Sequence, residues 1–303
     1  MLKKQITVFA ISTLISCFAL TAGVNLNIAA LILPLIYTAL FAMETVHSGG
    51  YYTAITVTLN ITLALIFSKD LFTTFVMLPL MILSGILTGI TVIKNYNNKL
   101  SVLWGIIATG GVYAAYIIYS IKLLGVNPIE DMFFMMEQTL REMSVQMDMS
   151  DLSFVASYIN MSKNLFVAVM IIVFSIIGFV VAYIASSALK IFRKGKQLNL
   201  SLDSFKADTA TVFIYLGSLI GAMFAKDGML SVVFTDLYLV LQFYLTICGV
   251  SLIYYLVKKK INVPVVGKIA GITLLGAGLV GIFSTIFVLG GIIDARRNFR
   301  SIK

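Results

Sequence analysis

The chain has 303 residues, 60% of them hydrophobic and 12% charged, where soluble domains run at about 45–50% apolar and about 25% charged. A water-soluble core stops growing before it can take up that much apolar side chain, so the composition, with a mean hydropathy of +1.01, excludes a soluble globular protein and points to lipid as the solvent. The net charge of +9, from 22 Lys and Arg against 13 Asp and Glu, does not point to nucleic acid, because the cations collect at the ends of apolar runs, which is a topology signal.

In lipid a backbone must satisfy its own hydrogen bonds, so spans are helices or a closed barrel. The apolar runs lie at 6–22, 28–46, 51–67, 71–93, 101–124, 164–190, 209–225, 229–257 and 264–292. They are long and uninterrupted, unlike the alternating segments of about ten residues that build a barrel. The expected fold is therefore all-α: a polytopic transmembrane helical bundle with eight or nine spans, in a bacterial cytoplasmic membrane. Met1-Leu2-Lys3-Lys4 and the first run have the charge and apolarity of a signal peptide. The small residues Ala19 and Ala22 lack the usual cleavage spacing, so the run is expected to stay as the first span. Cys17 and Cys248 both lie inside apolar runs and read as small buried hydrophobes, not as a disulfide.

Lys3, Lys4, Lys94, Lys99, Lys190, Arg193, Lys194, Lys196, Lys206 and the triplet Lys258, Lys259 and Lys260 all fall on one side if the N-terminus is cytoplasmic. The opposite connections carry few cations: Lys69, Lys122, Arg141, Lys163 and Lys226. That is a positive-inside pattern through eight runs. The ninth breaks it, because one more crossing would put Arg296, Arg297, Arg300 and Lys303 outside. Run 264–292 holds seven glycines and Lys268, so it either crosses or folds partly as a re-entrant or broken segment.

The largest polar segment, 125–163, is acidic and cation-poor, and is expected outside. Asn127-Pro128 starts a helix well, with Pro in the first turn and acids following. Ile129, Met132, Phe133, Met136, Leu140, Met143 and Met147 then recur at steps of three and four, which predicts an amphipathic extracytoplasmic helix that lies on the membrane or caps the bundle as a lid. Six methionines fall between Met132 and Met149. Thioethers bind soft metals, but with no Cys or His beside them they read as an adaptable apolar face, and no metal or other cofactor is expected.

Ionisable groups inside spans are costly and mark sites. Glu44 and His47, the single histidine, stand three residues apart on one helix face. Asn60 lies mid-run, and Asp236 and Gln242 lie within run 229–257. These five are the candidates for ligand binding or proton coupling, against the plainer role of interhelical hydrogen bonding. The chain has no G-x-x-x-x-G-K-[ST], G-x-S-x-G or H-E-x-x-H, so no enzyme is expected. Gly85-x-x-x-Gly89 and Gly267-x-x-x-Gly271 permit close helix approach.

Gly249-Val250-Ser251-Leu252-Ile253-Tyr254-Tyr255, the Lys triplet, Pro264, and the ending Gly290-Gly291-Ile292-Ile293-Asp294 with Phe299-Arg300 resemble the YybS-like family of bacterial membrane proteins. Gly291, Asp294, Phe299 and Arg300 carry the motif. That family is in turn similar in hydropathy to the substrate-binding S subunits of energy-coupling-factor transporters, and Pro34, the stretch 44–50 and Gly85-x-x-x-Gly89 resemble their small-residue helices. The resemblance implies a six-helix S-like module over 1–195, including the 125–163 lid, with additional membrane helices over 196–303 ending in a basic tail. It also implies an unidentified small-molecule ligand bound from outside, and separate ATPase and transmembrane transporter subunits as partners. The alternative is a non-enzymatic membrane scaffold or assembly factor acting through helix faces and the basic tail.

Overall fold

The apolar runs 28–46, 51–67, 209–225 and 229–257 become helices with nearly the same ends. In a computed structural model of the chain, residues 29–48, 50–67, 76, 78–94, 98–146, 153–193, 205–225, 228–260 and 281–297 are described. Their helices are α1 (Ala29–Ser48), α2 (Gly50–Phe67), α3 (Leu78–Ile93), α4 (Asn98–Tyr119), α5 (Pro128–Gln146), α6 (Ser153–Arg193), α7 (Thr209–Phe224), α8 (Met229–Lys260) and α9 (Gly281–Arg297). No strand occurs among the described residues. The run 6–22, most of the run 264–292 and the pair Gly267/Gly271 lie outside them. Among the described residues, three stretches suffice by length and composition to cross a membrane: Leu100–Leu124, Val155–Ile191 and Met229–Val257.

α6 and α9 overrun the apolar runs that announce them by the most residues. α6 has 41 residues, about 61 Å at 1.5 Å per residue, where a hydrocarbon core is about 30 Å thick. Its apolar run begins at 164, yet the helix starts at Ser153, because helical hydrogen bonding continues past the point where lipid ends. α9 likewise runs beyond Ile292 through Asp294 to Arg296 and Arg297.

Helix ends follow local chemistry. α4 closes through a π turn, Ser120–Leu124, on Gly125, whose φ of +67° is left-handed, and Val126 N–H returns to Ser120 O at 3.1 Å. A side chain at 125 would strain that turn. Asn127 caps α5: its Oδ1 accepts from Ile129 N at 3.2 Å and its carbonyl from Asp131 N at 3.0 Å, with Pro128 first in the helix. Asn127→Ala should cost about 1 kcal/mol of local helix stability. Hydrogen exchange would then read about fivefold lower protection in the first turn of α5; unchanged protection there would count against the cap. Asp208 caps α7, accepting from Thr211 N at 2.8 Å.

The chain divides into two units, Met1–Asn160 with Val173–Leu198, and Met161–Ile172 with Asn199–Lys303. In the first, α1 packs against α2, α3 and α4, and α3 against α4. The core is Tyr37, Phe41, Leu78, Met81, Ile82 and Val112. The Gly85-x-x-x-Gly89 face lies on α1: a Cβ at Gly85 would come 2.7 Å from Thr38 O, and one at Gly89 2.9 Å from Ala42 O. Without a hydrophobic drive between helices in lipid, such close approach is what holds them together. Ser101 Oγ donates to Thr91 Oγ1 at 3.0 Å and ties α4 to α3.

In the second unit α8 packs against α7 and α9 around Ala207, Val212, Tyr215, Leu245, Cys248 and Val288. The segment leading into α7 is pinned to α8, where Ser251 Oγ donates to Phe205 O at 2.8 Å and Tyr244 O–H to Lys206 O at 3.1 Å. The Tyr215 and Tyr238 rings stack at 5.5 Å.

Candidate functional site

Glu44 sits in the next-to-last turn of α1 and is 1% exposed, on the face turned into its unit. On α2, Thr53, Thr56 and Asn60 recur at steps of three and four and are all buried, while Ile55 and Leu59 face outward. Thr56 donates its hydroxyl to Glu44 Oε1, joining α2 to α1. Asn60 Nδ2 donates to Thr56 O at 2.8 Å, which fixes the amide and turns Oδ1 away. That oxygen is fully buried and has no hydrogen-bond partner among the described residues; neither has the buried Thr38 Oγ1 on α1. Burying polar atoms without partners costs free energy, and a carboxyl at 1% exposure inside apolar helices adds more.

Two candidates from the sequence, Glu44 and Asn60, are thus brought together, and Thr56 joins them. Nothing in the sequence marked Thr56. Among the described residues, most helix threonines bond back along their own helix, as Thr45 does to Phe41 O and Thr88 to Ser84 O, and the pattern of Thr53, Thr56 and Asn60 on one face is the signal that could have found it. His47 lies half-buried in the last turn of α1, one turn beyond Glu44, where a helix C-terminus favours a cation.

The other candidates belong to the second unit. Asp236 and Gln242 stand on α8, both half-buried. Asp236 Oδ1 has no hydrogen-bond partner among the described residues. The Gln242 carbonyl accepts from Thr246 Oγ1 at 2.8 Å. The motif residue Gly291 lies on α9 against Leu245 O of α8, with Gly249 of the companion motif against Phe287. Asp294 is buried in the same helix. Phe299 and Arg300 lie outside the described residues.

Along α5, where a lid was expected, Phe133 is buried and Ile129, Met136 and Leu140 are half-buried, whereas Met132 and Met143 are exposed. Met147 lies outside the described residues. Among the described residues no three His, Cys, Asp or Glu side chains gather as a metal site. A shallow groove on α2, lined by Ile55, Thr58, Leu59 and Thr62, is on the face opposite Thr56 and Asn60.

Compared with known protein families, the chain matches the one described as "Predicted membrane protein (DUF2232)" over residues 10–295. No curated protein and no solved structure matches it.

Proposed function

The chain belongs to the DUF2232 family of predicted membrane proteins, and from that premise we propose that it is a multi-pass protein of a bacterial cytoplasmic membrane, with eight or nine spans, that binds a small molecule in the service of transport. The observation that carries this reading is the buried cluster of Glu44, Thr56 and Asn60. Structural burial of a carboxyl in a span is expensive, and a helix–helix contact alone gains only about 0.6 kcal/mol from a polar pair. A ligand that supplies a partner to Asn60 Oδ1, beside the buried carboxyl, accounts for the expense.

Glu44 lies four residues from the end of α1 and Thr56 six residues into α2, about 6 and 9 Å along the helix axes. By the distribution of cations, that end of the hairpin faces the cytoplasm. An outward-facing cavity therefore has the cluster as its floor, and the 125–163 segment as its lid. The similarity to S subunits supports the same arrangement. With no P-loop in the sequence, energy comes from separate ATPase and transmembrane subunits, and the chain itself is not an enzyme.

One observation favours a scaffold instead: Arg296 and Arg297 are exposed at the end of α9, just beyond the buried Asp294. Purification from mild detergent separates the two readings. Transport predicts that an ATPase copurifies, and still does so with Arg296→Ala and Arg297→Ala together. The scaffold predicts partners that this double replacement releases. Absence of any ATPase under several conditions would contradict the transport reading.

A further inference from the structure

We infer that α5 lies along the bilayer surface, with Met132, Met135 and Met143 set in the acyl boundary of a lipid leaflet. At 100° per residue, Met135, Met132, Met143, Met136, Leu140 and Phe133 follow one another around the helix over about half its circumference. The protein covers one edge of this arc, at Phe133, Met136 and Leu140. The other edge stays open: Met132, Met135 and Met143 are exposed, Met135 by 55%.

What covers that edge follows from its tether. The apolar stretch Leu100–Leu124 is long enough to cross a membrane, and α5 begins at Pro128. Four residue steps reach at most about 14 Å, so the first turn of α5 stays close to the headgroup layer. The exposed surface of that stretch carries Ile121, Leu123 and Leu124, with Leu123 at 74%, and continues through the exposed Val126 of the connection. The open edge of α5 thus prolongs a lipid-facing surface. Glu130, Asp131, Glu137 and Glu142 take the opposite arc with Arg141, which Glu137 holds at 2.7 Å. Four acids against one Arg leave no attraction to anionic lipid, so apolar burial in a zwitterionic leaflet is the driving contact.

Spin labels test this on the full chain in phosphatidylcholine vesicles. The positions are Met135→Cys, Met143→Cys and Gln138→Cys, each with Cys17→Ser; Cys248 is fully buried and is left in place. Labels at 135 and 143 should be relaxed more by oxygen than by a water-soluble nickel chelate, and the label at 138 the reverse. Added anionic lipid should not deepen either methionine position. Preference for the nickel chelate at 135 and 143 would place α5 in water and overturn the inference. Labels there shielded from both reagents would overturn it too, by showing a partner or a second copy on that face. The two methionine positions report independently, so misfolding of one variant leaves the other decisive.

Discussion

Gly249→Val is expected to lower the melting temperature of the detergent-solubilised protein by about 10 °C. A Cβ at Gly249 would lie 1.8 Å from Phe287 O and 2.5 Å from its carbonyl carbon. Both are backbone atoms, so no side-chain rotation relieves the overlap, and α8 and α9 must move apart. Overpacking typically costs about 1–3 kcal/mol, and a backbone clash belongs at the upper end. Moving the helices also opens the contact of Gly291 with Leu245 O, where a Cβ would sit at 2.5 Å. Gly290→Ala is the control. Its methyl would meet Gly249 Cα at 3.6 Å, an ordinary contact, and alanine gains helix propensity, so its melting temperature should hold or rise. Equal melting of Gly249→Val and the native chain would mean that α8 and α9 do not cross where the structure puts them.

Glu44→Gln should keep the fold and lose the ligand. The amide retains an oxygen to accept the Thr56 hydroxyl and matches the shape of the acid, so stability should change by less than about 1 kcal/mol. What it removes is the ionisable group, and ligand affinity should fall at least about tenfold, or about 1.4 kcal/mol. Glu44→Ala should lose both. It strips the Thr56 hydroxyl of its partner in a buried site and leaves a cavity, at a cost of about 2–4 kcal/mol. If Gln and Ala at this position melt alike, the carboxyl is no tie between α1 and α2; if both variants bind as tightly as the native chain, it is no ligand contact.

Much of the helical layout was legible because its signals are local. Apolar runs 28–46, 51–67, 209–225 and 229–257 meet helices Ala29–Ser48, Gly50–Phe67, Thr209–Phe224 and Met229–Lys260. Asn127-Pro128 announced α5 because a cap needs no distant partner. The start of α6 at Ser153 was hidden, since hydropathy reports where lipid lies and not where helical hydrogen bonding ends. The site was legible only through its most costly atom. A carboxylate among apolar residues stands out in any sequence, so Glu44 did. Thr56 did not, because whether a threonine bonds its own helix or its neighbour is decided by helix rotation, which residue type does not encode.

Native mass spectrometry of the protein, gently solubilised from its own membrane, tests the central claim most directly. The native chain should carry a small-molecule adduct that Glu44→Gln, inserted and melting normally, lacks. An adduct held equally by both proteins, or none on the native chain, would contradict a ligand site at Glu44, Thr56 and Asn60.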